Sequence, residues 1–232
     1  ASGILVAVRV NHWEIIWIYV AEECRRKGVA SALLHGFSEY YFNGRNGRAR
    51  AYVTEAMDYR RLIPLLQKAG YSIGEMDGGA YFETELESIN DGILAKGKRK
   101  CAVPIRSLAK EELKTLGKHI SLRKSGREIP LPVAAEDYEP CSHIGLDKEG
   151  VIGACLVRKN ARGLQISLLY AEKGRKNALF EILSAALAGM KGEYPGWMRV
   201  GTLATDAIGS QICRKLAQEP DEYRAYKAEL GK

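Results

Sequence analysis

Long apolar runs, clustered cysteines and clustered histidines are all missing from this 232-residue chain. No hydrophobic stretch approaches the ~18 residues that would span a bilayer, so no membrane partner is expected. The opening Ala1 to Val8 is interrupted by Arg9 and carries neither a basic front nor a cleavage site; it is expected to form a strand and not a secretory signal. The five cysteines, Cys24, Cys101, Cys141, Cys155 and Cys213, are odd in number, scattered and free of any Cys-x-x-Cys pair. Reduced thiols in a cytoplasmic protein are therefore expected, and no metal site. Two phosphate-binding signatures are absent as well: there is no Gly-Lys-Ser/Thr and no three-glycine dinucleotide fingerprint.

What is present is a 46% hydrophobic composition, enough for one large or two small cores, and a net charge of +7. A positive balance suits capture of an anion or of nucleic acid, so its distribution decides. Lys and Arg outnumber Asp and Glu by 14 to 12 in residues 1–100 and by 21 to 16 in residues 101–232. So thin an excess argues against a nucleic-acid face. Of the dense clusters, Arg45 to Arg50 reads as a solvated turn and Lys96 to Lys100 as a linker. Only Arg25-Arg26-Lys27 adjoins a plausible ligand site.

That cluster joins a strand-like run, Ile15 to Val20, to a helix-like run in which Val29, Leu33 and Phe37 recur at helical spacing. A strand-to-helix turn aims the amides of the first helical turn, and the positive end of the helix dipole, at whatever occupies it. Gly28 can take positive φ and expose its amide, and the three cations would neutralise a nucleotide-type pyrophosphate.

Residues 4–10 and 13–20 read as a hairpin about Asn11-His12. Arg48 to Thr54 alternates as a half-buried strand. Leu62, Leu65, Leu66 and Ala69 form a helical stripe that Pro64 should kink or shorten. Residues 91–100 read as a linker, after which the pattern starts afresh. Val103 to Arg106 is expected to be a strand, 109–122 a helix and 126–140 irregular. Ser142 to Leu146 and Val151 to Val157 read as a hairpin, Leu164 to Tyr170 and Trp197 to Leu203 as strands, and 177–190 and 207–217 as helices.

The loop resembles the acyl-CoA loop of the GNAT superfamily of N-acyltransferases: Gln or Arg, two residues, Gly, one residue, Gly or Ala. Arg25, Gly28 and Ala30 fit it. The flanks are similar too, with Trp17-Ile18-Tyr19-Val20 before the loop and Leu33-Leu34 after it. Arg48 to Glu55, Asp58 to Gly70-Tyr71, and Tyr71 to Glu87 fill the family's next strand, helix and closing hairpin. The resemblance implies an α/β chain with a mixed α+β sheet, built as two tandem GNAT-like modules at 1–91 and 101–232. The first lacks the family's opening elements, and the second is degenerate, with no such loop in Tyr170 to Ala178. Edge strand 4–10 is then expected to be covered by the second module or by a partner chain, as in a homodimer.

The implied activity is transfer of an acetyl or other acyl group from acetyl-CoA to a primary amine; a non-catalytic CoA-binding or structural protein is the alternative. Ile18, Val20, Arg25, Arg26, Lys27, Gly28, Val29, Ala30 and Ser31 would hold the donor. Glu14, eleven positions before Arg25, is placed like the glutamate base of the lysine-acetylating branch, or is a solvated strand-end residue. His12 could also accept a proton. The family's thiolate-protonating tyrosine, four residues before the Gly-aromatic pair, is Leu66 here. That proton is left to water, moves to Tyr19, Tyr52 or Tyr59, or is not supplied. The matching place in the second half is Cys213. Cys24 adjoins the basic loop without a nearby histidine. Trp13, Trp17 and Tyr19 alternate along one strand as core, or as the lining of an acceptor pocket.

Overall fold

A computed structural model describes residues 3–9, 13–42, 48–90, 92, 101–109, 138–148, 150–172 and 174–231. The chain divides into two compact units, residues 1–80 with 223–232, and residues 81–222. The expected modules, 1–91 and 101–232, divide it elsewhere, chiefly because the C-terminal strand belongs to the first unit.

In the first unit the expected hairpin forms from β1 (Gly3–Arg9) and β2 (Trp13–Val20); its turn lies outside the described residues. A short 3-10 turn at Glu22–Cys24 leads to α1 (Val29–Phe42), then β3 (Arg48–Thr54), α2 (Tyr59–Lys68) and β4 (Ser72–Glu85). The sheet order is β1-β2-β3-β10-β4, with β10 (Asp221–Gly231) antiparallel to β3. No strand lies beyond β1 in this order, so the edge expected to be covered has no strand partner among the described residues. Both helices pack on one face, where Leu34, Phe37 and Leu66 meet Ile15, Ala49, Ala51 and Val53. Pro64 sits inside the ten-residue α2, which stays short.

The expected closing hairpin at 71–87 is not formed. Ser72–Glu85 is one continuous strand, Gly78 (φ 64°) included, because β4 finds its partners in β10 and β9 and not in its own second half. β10 was not legible: its Lys, Arg and Glu mask the wholly buried Ala225 and Ala228.

The second unit has the order β4-β9-β8-β7-β6-β5. Its strands are β5 (Ala102–Pro104), β6 (His143–Asp147), β7 (Gly150–Asn160), β8 (Gly163–Ala171) and β9 (Arg199–Ala204), and its helices α3 (Lys176–Glu193) and α4 (Ala207–Leu216). Ile105 and Arg106, expected in the strand, belong to a 3-10 turn. The expected helix over 109–122 and nearly all of the irregular stretch 126–140 lie outside the described residues. On one face of this sheet Ile182, Leu183, Leu187 and Met190 of α3 cover Cys155, Val157, Leu164 and Ile166. Gly153 allows that approach, since a Cβ there would lie 2.7 Å from Ile182 Cδ1. Ile105, Ile144, Leu156, Leu168 and Tyr170 pack on the other face.

Candidate acyl-donor and acceptor site

β2 decides what faces what. It pairs with β1 as Val6 with Trp17 but Ala7 with Ile15, so Ile16 is an extra residue, a β-bulge. A bulge inverts the alternation beyond it. Trp13 and Ile15 point to the helices, Trp13 meeting Phe37 and Tyr41 at ring separations of 5.7 and 4.1 Å. Trp17 and Tyr19 come out on the opposite face, exposed and stacked on each other at 5.7 Å. The expectation of one aromatic stripe is therefore corrected: the three rings stand on two faces.

β2 also parts from β3. Their parallel pairing covers Trp13–Ala49, Glu14–Arg50 and Ile15–Ala51 only. β3 remains paired with β10 as far as Thr54–Ala225. Beyond Ile15 the two strands are no longer paired with each other.

At the loop, Gly28 has φ 81° and is exposed, with nothing within 4 Å of where a Cβ would sit. Arg26 is also left-handed, at φ 62°. Arg25 Nε donates to the Val20 carbonyl at 3.2 Å, which ties its guanidinium to the end of β2. The first turn of α1 closes with Ala32 N–H donating to the Gly28 carbonyl at 2.9 Å. The amides of Val29 to Ser31 therefore precede the first intrahelical bond and face the loop. Arg25, Arg26 and Lys27 are all exposed. A glycine with open space, a helix N-terminus and three cations fit a pyrophosphate.

Glu14 is half-buried in register with Arg50, whose Nε is 2.6 Å from Glu229 Oε1. Strand alternation puts Glu14 on the face without helices, together with Trp17 and Tyr19. Tyr19 stands five residues along β2 from Glu14, at the loop end. Tyr52 is half-buried beside Lys227 of β10, whereas Tyr59 lies on the helix side, stacked 6.3 Å from Tyr226. Leu66 is core. Cys24 is a half-buried free thiol in the 3-10 turn. Burial pushes the Cys213 thiol up to about 11, and it lines a small apolar cavity of about 60 Å³ under α4, which is packing. No group of three metal-ligating side chains occurs among the described residues. His12 lies outside them.

The second unit repeats the same strand device. β8 pairs with β7 as Leu156 with Leu168 but Val157 with Ile166, which makes Ser167 the extra residue. β8 pairs with β9 in parallel at Leu164–Val200, Gln165–Gly201 and Ile166–Thr202 only. Aligning the two ladders sets Gln165 where the first unit has Glu14. Gln165 accepts a hydrogen bond from Tyr81 Oη at 3.1 Å, and that hydroxyl would lie 2.0 Å from a Cβ at Gly201. In the following loop Arg175 is held by Asp147 at 2.8 Å.

The first unit thus has a bulged strand that parts from its parallel neighbour and feeds a glycine loop at a helix N-terminus. Residues 2–71 match the acetyltransferase (GNAT) family. No curated protein matches the sequence. Solved structures similar to the chain include a GCN5-related N-acetyltransferase from Sphaerobacter thermophilus, 10% identical with TM-score 0.57 over 99% of this chain and 76% of that one. One from Kribbella flavida is 12% identical, with TM-score 0.58 over 100% of this chain and 89% of that one. A tandem GNAT protein from the clavulanic acid biosynthesis pathway is 12% identical, with TM-score 0.58 over 98% of this chain and 79% of that one. Residues 2–71 are thus similar to a GNAT acetyltransferase domain, and the chain shares the fold of these solved GNAT structures.

Proposed function

We propose that the protein is an N-acyltransferase that moves an acetyl or related acyl group from acyl-CoA to a primary amine. The observation that carries this reading is the loop: exposed cations and an open, left-handed Gly28 at the N-terminus of α1, directly after a strand that has parted from its neighbour. Arg25 to Ser31 hold the pyrophosphate, and Ile18 and Val20 offer backbone groups to the arm that carries the thioester. The resemblance to a tandem GNAT protein supports two modules, at 1–91 and 101–232 apart from the C-terminal strand that belongs to the first unit, the second a scaffold without a base because Gln165 replaces the carboxylate.

Acyl transfer needs a neutral amine. Glu14 takes the ammonium proton, directly or through one water, and passes it to solvent; the amine nitrogen then forms a bond to the thioester carbon, the C–S bond breaks, the thiolate leaves with a proton from its donor, and the surplus proton on the nitrogen goes back to that donor to leave the neutral amide. Tyr19 is on the same face as Glu14 and is the candidate donor of that proton, with Tyr52 and water as alternatives. The reaction calls for no metal. The acceptor is a small or protein-borne amine and not a nucleic acid, and the protein works in the cytoplasm, as a monomer or as a homodimer joined at β1.

A non-catalytic CoA-binding protein is the second reading, favoured by Leu66 at the place of the family's tyrosine. Thiol release from acetyl-CoA over a panel of primary amines separates the two. Acceptor-dependent thiol release supports the enzyme, and acetyl-CoA binding without thiol release for any amine supports the second reading.

A further inference from the structure

Glu14, Arg50 and Glu229 form one lateral row across three neighbouring strands: β2 pairs Glu14 with Arg50, and β10 pairs Glu229 with the same Arg50. Their flanking residues Ile15, Ala49, Ala51, Ala228 and Leu230 pack in the helix-side core, so alternation turns all three to the opposite face. Neighbouring strands lie about 4.8 Å apart, which sets Arg50 one strand spacing from each carboxylate residue.

The Arg50 charge is shared with the far carboxylate. Arg50 Nε donates to Glu229 Oε1 at 2.6 Å, and Lys227 Nζ lies 3.0 Å from Glu229 Oε2. Burial raises the Glu229 carboxyl, but Lys227 and Arg50 outweigh it and hold that carboxyl below its ordinary value. The other polar groups on this face are Arg48, two residues before Arg50, Tyr52 beside Lys227, and Tyr19 toward the loop. On one side of the row β1 sets the uncharged Val8 opposite Glu14, and on the other the Ser72 hydroxyl of β4 donates to the Glu229 carbonyl at 3.0 Å. The second unit has no such row: Gln165 is paired with Gly201.

A guanidinium one strand away favours the ionised form of Glu14 and weakens it as a base. An anion bound to the same guanidinium offsets that effect. A group that takes a proton from an ammonium near neutral pH works best when its own pKa is not depressed.

We infer that Glu229 is a positioning residue that sets the basicity of Glu14 through Arg50, so that the C-terminal strand tunes a residue near the start of the chain. Its bearing on acyl transfer rests on the reading of Glu14 as the base.

The test follows two readouts: the Glu14 carboxyl by carbon-13 NMR, assigned by its loss in Glu14→Gln, and the acidic limb of acceptor-dependent thiol release. Both are measured in wild type, Glu229→Gln, Arg50→Gln, Arg50→Lys and the Arg50→Gln/Glu229→Gln double variant. Glu229→Gln is expected to lower the Glu14 midpoint by about 0.5–1 pH unit, and Arg50→Gln to raise it by a similar amount. Arg50→Lys keeps the charge and should stay close to wild type. In the Arg50→Gln background, Glu229→Gln should move the midpoint much less than it does alone, as action through Arg50 requires. An unmoved midpoint in Glu229→Gln, or shifts of the same sign in the two single variants, overturns the inference; a changed melting temperature alone would mean that the ion pair serves only the fold. If the midpoint moves as expected and the acidic limb does not follow it, the inference stands and the reading of Glu14 as the base fails.

Discussion

Glu14 and Gln165 occupy the same place in two copies of one strand device: each is the middle residue of a three-pair parallel ladder and stands two residues before a bulge. One is a carboxylate and the other its neutral isostere. The two units therefore differ at the atom that would take a proton.

The first expectation follows from that difference. Glu14→Gln keeps the shape and removes the charge, so thiol release with a competent acceptor should fall by about 10²- to 10⁴-fold with little change in acyl-CoA affinity. The acidic limb of the rate profile should vanish with it. Gln165→Glu should leave the rate unchanged. Near-normal turnover of Glu14→Gln at saturating acceptor would assign Glu14 to the solvated strand end.

The bulge at Ile16 separates two tryptophans that the sequence shows as equivalent. Trp13→Ala removes a ring packed against Phe37 and Tyr41 and should destabilise the protein by about 2–4 kcal/mol in denaturant unfolding. Trp17→Ala removes an exposed ring and should change stability by no more than about 0.5 kcal/mol. Equal costs would mean that both rings face the core.

Most elements were legible because their signals are local. Val29, Leu33 and Phe37 announce α1, and Arg48 to Thr54 alternates as its burial does. The bulges carry no such mark. Trp13, Ile15, Trp17 and Tyr19 alternate without a break, as do Leu164, Ile166, Leu168 and Tyr170, yet in each strand the second pair faces the other way. An inserted residue shows only in the pairing with the neighbouring strand. The long reach of β10 to β3 was hidden for the same reason: nothing near residue 225 refers to residue 54. At the site, the turn geometry of Gly28 could be read from its residues, whereas the parting of β2 from β3 after Ile15 could not, since it is a property of the pairing.

Acid should weaken the first unit through Glu229. Burial alone would raise its carboxyl, but Lys227 and Arg50 outweigh that and hold it below the ordinary 4.5. A depressed folded pKa gives stability that is present above the unfolded value and is lost as pH falls through the folded one. The contribution is about 1 kcal/mol or less, because the pairs are partly solvated. Glu229→Gln should accordingly flatten the fall in melting temperature between about pH 5 and pH 3. An unchanged slope would show that these ion pairs give the fold no pH-dependent support.

The central claim is that acyl-CoA binds at the Gly28 loop and nowhere else, and calorimetric titration of wild-type and Gly28→Glu protein with acetyl-CoA tests it most directly. The substitution puts an anion where the pyrophosphate would lie. Space is open there, and the left-handed φ of 81° adds strain of only ~1 kcal/mol, so the fold should survive, as its circular dichroism would show. One site per chain in the wild type and no detectable binding in folded Gly28→Glu are the predicted results. Two sites per chain, or a dissociation constant unchanged by the substitution, would contradict the account.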